Sequence, residues 1–181
     1  MESGTGEFLN PQKVLGQLEI KANLKIAHFG CGHGYFDIPL AKMVGPDGKI
    51  YSIDVLKEAL EEVKTKAEKE GLVNIETIRG NLEIVGGSKI KDNACDMVLL
   101  ANILFQSQKK TEVIKEARRA LKQEGKLIII DWQPQGSTLT SGSGWRISPQ
   151  EARQIAEEQN FAFEKEFETD DYHYGLIFKK P

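Results

Sequence analysis

Five consecutive residues, Gly30-Cys31-Gly32-His33-Gly34, carry the strongest chemical signal in the chain. They stand between an apolar run, residues 24–29, and an amphipathic stretch, residues 35–44. Glycine is needed where a backbone turns tightly and lets a ligand come close. The N–H groups that open the following helix would then face a negatively charged ligand group. The spacing here is G-x-G-x-G. The dinucleotide fingerprint, G-x-G-x-x-G, would need glycine where Tyr35 stands. The second element is Asp54, which closes the run 49–53 and lies 20 residues beyond Gly34. In a doubly wound sheet that position sits at the carboxyl edge, beside the glycine turn. A carboxylate there can accept hydrogen bonds from both hydroxyls of a ribose. Its plainer role would be to cap the helix that follows.

These residues need a scaffold, and the chain alternates the parts for one. Residues 24–29, 49–53, 74–79, 96–101 and 126–130 read as buried strands. Between them, residues 35–44, 56–70 and 111–123 place apolar side chains three and four apart, the period of a helix. Gly71 and Gly125 are read as the stops of the second and third of these. Strands joined by helices are parallel, with the helices covering both faces of the sheet. The tail differs. Residues 133–146 are rich in Gly, Ser and Thr and read as a loop. Ser148-Pro149-Gln150-Glu151 then has the form of a capping box with proline at N1, opening a helix to about Asn160. Two strand-like runs, 162–167 and 172–179, are separated only by Glu168-Thr169-Asp170-Asp171. That link suits an antiparallel hairpin and is too short for a crossover helix. The expected fold is α/β: a doubly wound, Rossmann-like, seven-stranded sheet, mostly parallel, with a C-terminal antiparallel hairpin. Residues 1–20 form an N-terminal extension with one helix at 11–18, and residues 21–181 a single domain.

Composition narrows the classes. The 181 residues are 40% hydrophobic and 28% charged, a globular balance. The formal charge of −3 disfavours a partner bound through phosphates, so no nucleic acid is favoured. Two cysteines do not make a disulfide scaffold, and three histidines without tight ligand spacing give no metal site. No apolar run is long enough to span a membrane. The opening MESGTGEFLN lacks the form of a signal peptide, and the simplest location is cytoplasmic. His28 reads as a core histidine, Cys31 as a small filler and Cys95 as a core thiol.

The stretch IAHFGCGHGYFDIPLA resembles motif I of the class I S-adenosylmethionine-dependent methyltransferases. KIYSIDVL, IETIRGNLE, CDMVLLANIL and LKQEGKLIIID are similar, in order, to the family's later motifs. The likeness covers about residues 20–180, and within the family it leans toward the small-molecule branch akin to quinone-biosynthesis C-methyltransferases. The resemblance implies S-adenosylmethionine as cofactor and S-adenosylhomocysteine as product. It implies that Gly30, Cys31, Gly32 and Gly34 pass under the methionine part. By the same likeness Asp54 binds the ribose, Val55 and Leu82 pack on adenine, and Ala101 and Asn102 line the path to the sulfonium. Asn81 stands where the family commonly has Asp, and its amide oxygen can still accept from the adenine amino group.

Transfer of an activated methyl group by in-line displacement asks the protein mainly to align the reactants and exclude water. A base is needed only where the acceptor must lose a proton. Asp131, Trp132 and His173, at the ends of the later strands, are the catalytic candidates, with Trp145, Arg146, Tyr172 and Tyr174 nearby. Alternation puts Tyr172 and Tyr174 on one face and His173 on the other. The acceptor is expected to be a small molecule. The Asn-Pro-Pro-Tyr motif of amino-methylating nucleic-acid enzymes is absent, and Asn102-Ile103-Leu104-Phe105 stands in its place. With no long insertion after the fifth strand, residues 8–18 or a second copy of the chain in a homo-oligomer would have to roof the site. The competing readings are an NAD-dependent oxidoreductase, against which Tyr35 and the antiparallel tail weigh, and an inactive S-adenosylmethionine- or nucleoside-binding module.

Overall fold

A computed structural model describes residues 9–134 and 146–181. Phe8 and Trp145 therefore lie outside the described residues. The described elements are α1 (Pro11–Leu15), β1 (Lys25–Phe29), α2 (Asp37–Val44), β2 (Lys49–Asp54), α3 (Lys57–Lys69), β3 (Ile75–Arg79), β4 (Cys95–Ala101), α4 (Lys110–Ala120), β5 (Leu121–Trp132), α5 (Pro149–Glu158), β6 (Ala162–Phe167) and β7 (His173–Lys179).

The strands form one seven-stranded sheet in the order β3-β2-β1-β4-β5-β7-β6. The first five are parallel, and β7 runs antiparallel to both β5 and β6. The chain reverses direction of winding between β1 and β4, and such a switch point opens a crevice at the carboxyl ends of the strands. Alternation along the central strands divides the core in two. Ile26, Ile50, Leu99, Ile128 and Ile177 pack against α1 and α2 on one face. Ala27, Ile53, Leu100, Ile129 and Phe178 pack on the other with residues of α4 and α5. β1 and β4 are buried almost throughout, as strands covered on both sides must be.

Local chemistry sets most boundaries. Asn10 caps α1, accepting the Lys13 N–H, with Pro11 at N1. Ser148 and Glu151 make the expected reciprocal capping box of α5. Gly71 follows the end of α3 with φ +65. The first helix, expected over residues 11–18, stops at Leu15.

The end of α4 departs further from expectation. The helix stops at Ala120, and β5 already begins at Leu121, which pairs with Cys95 ahead of an irregularity in the ladder. Gly125 lies inside the strand and does not close the helix. The cause is tertiary. Lys180, in sequence far from the helix, donates through Nζ to the Arg118 and Leu121 carbonyls at 2.8 and 2.6 Å. Lys122 Nζ is meanwhile drawn to Asp96 Oδ1 at 2.6 Å. The helix-end carbonyls are satisfied from the last strand, so the chain can leave the helix four residues before its glycine.

Candidate functional site

The carboxyl ends of β1, β2, β4 and β5, with the segment after β3, enclose a cleft of about 990 Å³. Gly30, Cys31 and Gly32 line it after β1, Asp54 and Val55 after β2, Asn81 and Leu82 after β3, and Ala101 and Asn102 at the end of β4. Nine of the ten residues named from sequence for the cofactor are thus brought together.

Gly34 is the tenth, and it does not line the cleft. It is held at φ +79, and a Cβ there would lie 2.9 Å from Val63 Cγ2 of α3. Its role is to let α3 pack close. Gly32 differs: φ is +50, but no protein atom lies within 4 Å of where its Cβ would be. The space beside Gly32 belongs to the cleft.

Asp54 is tied to the glycine turn. Its Oδ2 accepts the Gly32 N–H at 2.9 Å, and its Oδ1 accepts the Leu56 N–H at 3.0 Å. Asp54 does not cap α3, whose N-cap is Leu56 with no side-chain cap; it braces the turns on either side of it. A carboxylate offers about four lone-pair sites, so about one on each oxygen stays open to a ligand. Asn81 Oδ1 accepts the Glu83 N–H at 3.0 Å, which fixes the amide at the cleft rim. Glu83 Oε1 in turn accepts from Ser107 Oγ at 2.7 Å and the Gln108 N–H at 2.9 Å, joining the loops after β3 and β4. Burial is slight there, and the Ser107 hydroxyl is what chiefly holds the Glu83 carboxyl below its ordinary range. Burial pushes the Cys31 thiol up, with the charges of Asp37 and Asp54 adding to it, and the protonated thiol is a filler in this wall.

The cleft holds a residue that sequence reasoning set aside. His28 is buried, as expected, yet its ring lines the cleft. Its Nδ1 lies 2.7 Å from Asp37 Oδ2, and Asp37 also accepts from Ser52 Oγ. A carboxylate can only accept, so Nδ1 carries the hydrogen. His28 Nε2 has no partner, and neither has Asn102 Oδ1, which is held on a residue with φ +55. Buried polar atoms without partners are rare in folded proteins and call for an explanation. The one signal in the sequence was a polar residue within the buried part of a strand, two positions before the glycine turn.

The three catalytic candidates separate. Trp132 and His173 line the cleft, paired across β5 and β7, with ring centroids 4.0 Å apart. Arg146 lies over the Trp132 ring at 5.6 Å. Asp131 is not in the lining. It is fully buried toward the opposite core, where its Oδ2 accepts the Leu104 and Phe105 N–H groups at 3.0 and 3.2 Å. Burial pushes its carboxyl up to about 6, against the pull of the Trp132, Phe105 and Leu104 N–H groups. Asp131 holds the turn after β4 in place. Tyr174 is also buried, with its hydroxyl donating to the Ile147 carbonyl at 3.1 Å, while Tyr172 is partly exposed and outside the cleft. Leu9 is buried in the cleft wall.

The sequence profile of the methyltransferase domain family matches residues 20–170. The chain belongs to this methyltransferase domain family. A crystal structure of a SAM-dependent methyltransferase from Aquifex aeolicus superposes with a TM-score of 0.86 at 26% identity, covering 96% of this chain and 90% of that one. The demethylmenaquinone methyltransferase of Lactococcus lactis is 29% identical over 119 residues, which is 66% of this chain and 46% of that protein. The protein of the same name from Bacillus mycoides is 32% identical over 115 residues, 63% of this chain and 47% of that protein. This methyltransferase-domain chain thus spans about half the length of the curated relatives it matches. The seven-stranded sheet with its antiparallel end is the Rossmann-like α/β arrangement of the Aquifex structure. Among the described residues, no helix is long and apolar enough to cross a membrane.

Proposed function

We propose that the chain is an S-adenosylmethionine-dependent methyltransferase acting on a small, quinone-like aromatic acceptor, with S-adenosylhomocysteine as the second product. One observation carries this reading: the acceptor atoms that lack a full set of partners on residues lining the cleft. Asp54 keeps lone pairs at one end, beside the glycine turn, where a ribose diol would bind. His28 Nε2 and Asn102 Oδ1, both without partners, offer acceptors at the other end. A diol followed by an ammonium group matches S-adenosylmethionine. A nicotinamide dinucleotide has no ammonium to place there.

The chain's own residues would hold the cofactor as follows. Asp54 accepts from the ribose hydroxyls, with Val55 and Leu82 flanking the base and Asn81 at its edge. Gly30, Cys31 and Gly32 run beneath the chain of the ligand, and His28 and Asn102 accept from its amino group. Bound in this way, the cofactor supplies a methyl group on a positively charged sulfur. Ala101 and Asn102 stand where that methyl would emerge, and Trp132 offers a flat apolar wall for an acceptor beyond it. The N-terminal extension, of which residues 1–8 lie outside the described residues, is read as a cover for residues 21–181, which Leu9 in the wall supports. The two free buried thiols suit a reducing compartment such as the cytoplasm.

Thermal unfolding with S-adenosylmethionine, S-adenosylhomocysteine and NAD in parallel tests the cofactor. A ligand at about 100 times its Kd stabilises by about 2.7 kcal/mol. For a domain of this size that is a shift of roughly 5–11 °C. A shift with the two adenosyl sulfur compounds and none with NAD is expected. A shift with NAD alone would overturn the reading.

A further inference from the structure

We propose that His173 is the general base of the reaction, positioned by Asp170, and that it takes a proton from a hydroxyl on an aromatic acceptor lying against Trp132. The inference rests on the cofactor reading above and assigns the other half of the same cleft.

His173 opens β7, on the sheet face that carries Ile177, Ile130 and the buried ring of His28. The Asp170 carboxylate grips it twice. Oδ1 accepts the His173 backbone N–H at 2.8 Å, and Nδ1 of the ring lies 2.8 and 3.0 Å from the two carboxylate oxygens. Oδ1 also accepts the Tyr172 N–H at 2.9 Å. The His173 carbonyl is pinned in turn by Thr169 Oγ1 at 2.7 Å. The ring is therefore fixed from both sides of its own backbone.

That grip decides the proton. A carboxylate offers no hydrogen, so Nδ1 must be the donor, and a neutral ring then presents Nε2 as a bare lone pair. The two nitrogens lie on opposite edges of the ring. Anchoring Nδ1 on the turn before β7 directs Nε2 away from it, and the ring lines the cleft. Nε2 is buried and has no partner. A base held in one tautomer by a third group, its second nitrogen buried and unpartnered on a residue that lines the cleft, is the arrangement that proton abstraction needs.

The acceptor class follows from the surroundings. The His173 side chain is 3% exposed, so little solvent competes for Nε2. Trp132 lies with its centroid 4.0 Å from the imidazole, and the Arg146 guanidinium stands 5.6 Å from the same ring, so an acceptor here meets an aromatic edge and a cation. From the end of β4, where the cofactor methyl would emerge, β7 is two strands away. At roughly 4.8 Å per strand that is roughly 10 Å of backbone separation. Side chains from both ends close that gap, so an acceptor ring between them would set its hydroxyl against His173, with that oxygen or the carbon next to it turned toward β4. A base is required only by an acceptor that must lose a proton, which a hydroxyl does and a thioether does not.

In the step, the acceptor O–H bond breaks and the proton goes to the Nε2 lone pair. The electron pair left on oxygen forms the bond to the methyl carbon. It acts directly or through the adjoining ring carbon, which then sheds its own hydrogen as a proton to water. The methyl–sulfur bond breaks, and its pair stays on sulfur. His173 becomes an imidazolium facing the Asp170 carboxylate and later returns the proton to water.

The test uses the full chain loaded with S-adenosylhomocysteine, with that binding measured separately by calorimetry. Ring-nitrogen NMR reads the state of His173, its signals identified by their loss in His173→Gln. The probe is naphthohydroquinone kept reduced, and the control is its dimethyl ether. With Nδ1 held by Asp170, Nε2 is expected to be the bare nitrogen in the loaded protein. The hydroquinone should move its signal toward the protonated position, and the ether should leave it unmoved. Asp170→Asn can donate an amide hydrogen to Nδ1. It should transfer the ring proton to Nε2 and abolish the response, with affinity for S-adenosylhomocysteine unchanged. A protonated Nε2 in the parent protein, equal effects of the two probes or none from either, or an unaltered tautomer in Asp170→Asn would each overturn the proposal. Loss of S-adenosylhomocysteine binding in the parent would overturn the cofactor reading with it. Normal binding with a silent His173 overturns this inference alone.

Discussion

Asp54 Oδ2 accepts the Gly32 backbone N–H at 2.9 Å, so the acid that ends β2 and the glycine turn that follows β1 are one hydrogen-bonded unit. The acid serves the shape of the turn and faces the cleft with what remains. Asp54→Ala removes both. The lost charge-assisted hydrogen bonds to a ribose are worth about 1.5–3 kcal/mol, so affinity for S-adenosylmethionine should fall about 10- to 150-fold. Calorimetric titration of the variant checks this. Unchanged affinity would leave Asp54 as a support of the turn and no more.

Gly32 and Gly34 stand two residues apart and should fail in different ways. Both have positive φ, which costs an L-residue roughly 1–2 kcal/mol. Beyond that shared strain, a side chain on Gly32 enters the cleft, whereas one on Gly34 meets Val63. Gly32→Val is expected to remain folded and lose ligand binding. Gly34→Val is expected to lose stability as α3 is pushed off. Paired melting curves with and without S-adenosylhomocysteine separate the two, and identical behaviour would remove the distinction.

Much of this was legible in the chain, and the exceptions share a cause. The strands, the glycine turn, Asp54 and the capping box of α5 depend on neighbours in sequence, and period and spacing report such neighbours. The end of α4 depends on Lys180, and the place of Asp131 depends on two N–H groups in the turn after β4. No local pattern encodes either. Gly34 belongs to the motif by spacing, but its use is decided by Val63 on another helix. His28 looked like a core residue because it is one; that its second nitrogen is left without a partner is settled by Asp37 holding the first. Asp170 and His173 are three residues apart, yet the signal is slight until Trp132 is seen beside them.

Glu116 of α4 is fully buried, and its carboxylate holds a loop that borders the site. Burial alone would raise it, but Arg119, Ser88 and Gly86 outweigh that and keep it below the ordinary range. Arg119 Nη2 lies 2.7 Å away, and the Gly86 and Ser88 N–H groups donate at 2.5 and 3.1 Å. Glu116→Ala takes from Arg119 its buried partner, leaving it Asp92 and Ser88, and leaves two loop N–H groups unmatched. Removing one partner of a buried pair costs about 3–5 kcal/mol, and the melting temperature should fall by roughly 6–20 °C. A change of a degree or two in scanning calorimetry would show that the network contributes little.

Asp131 gives a pH signature. Its folded pKa, about 6, stands above the ordinary 3.8, so between those values the native protein binds more protons than the unfolded chain. Stability from this residue is therefore fully present below about pH 4 and is lost as pH rises through about 6. A difference of about two pKa units corresponds to roughly 3 kcal/mol. Asp131→Asn cannot titrate and serves as the reference. The unfolding free energy of the parent minus that of the variant should shrink by roughly 1–3 kcal/mol between about pH 4 and about pH 7 in denaturant titrations. A difference that is flat or grows with pH would mean that the Leu104, Phe105 and Trp132 N–H groups dominate over burial. Asp131 would then be an ordinary ionised carboxylate that braces the turn carrying Asn102.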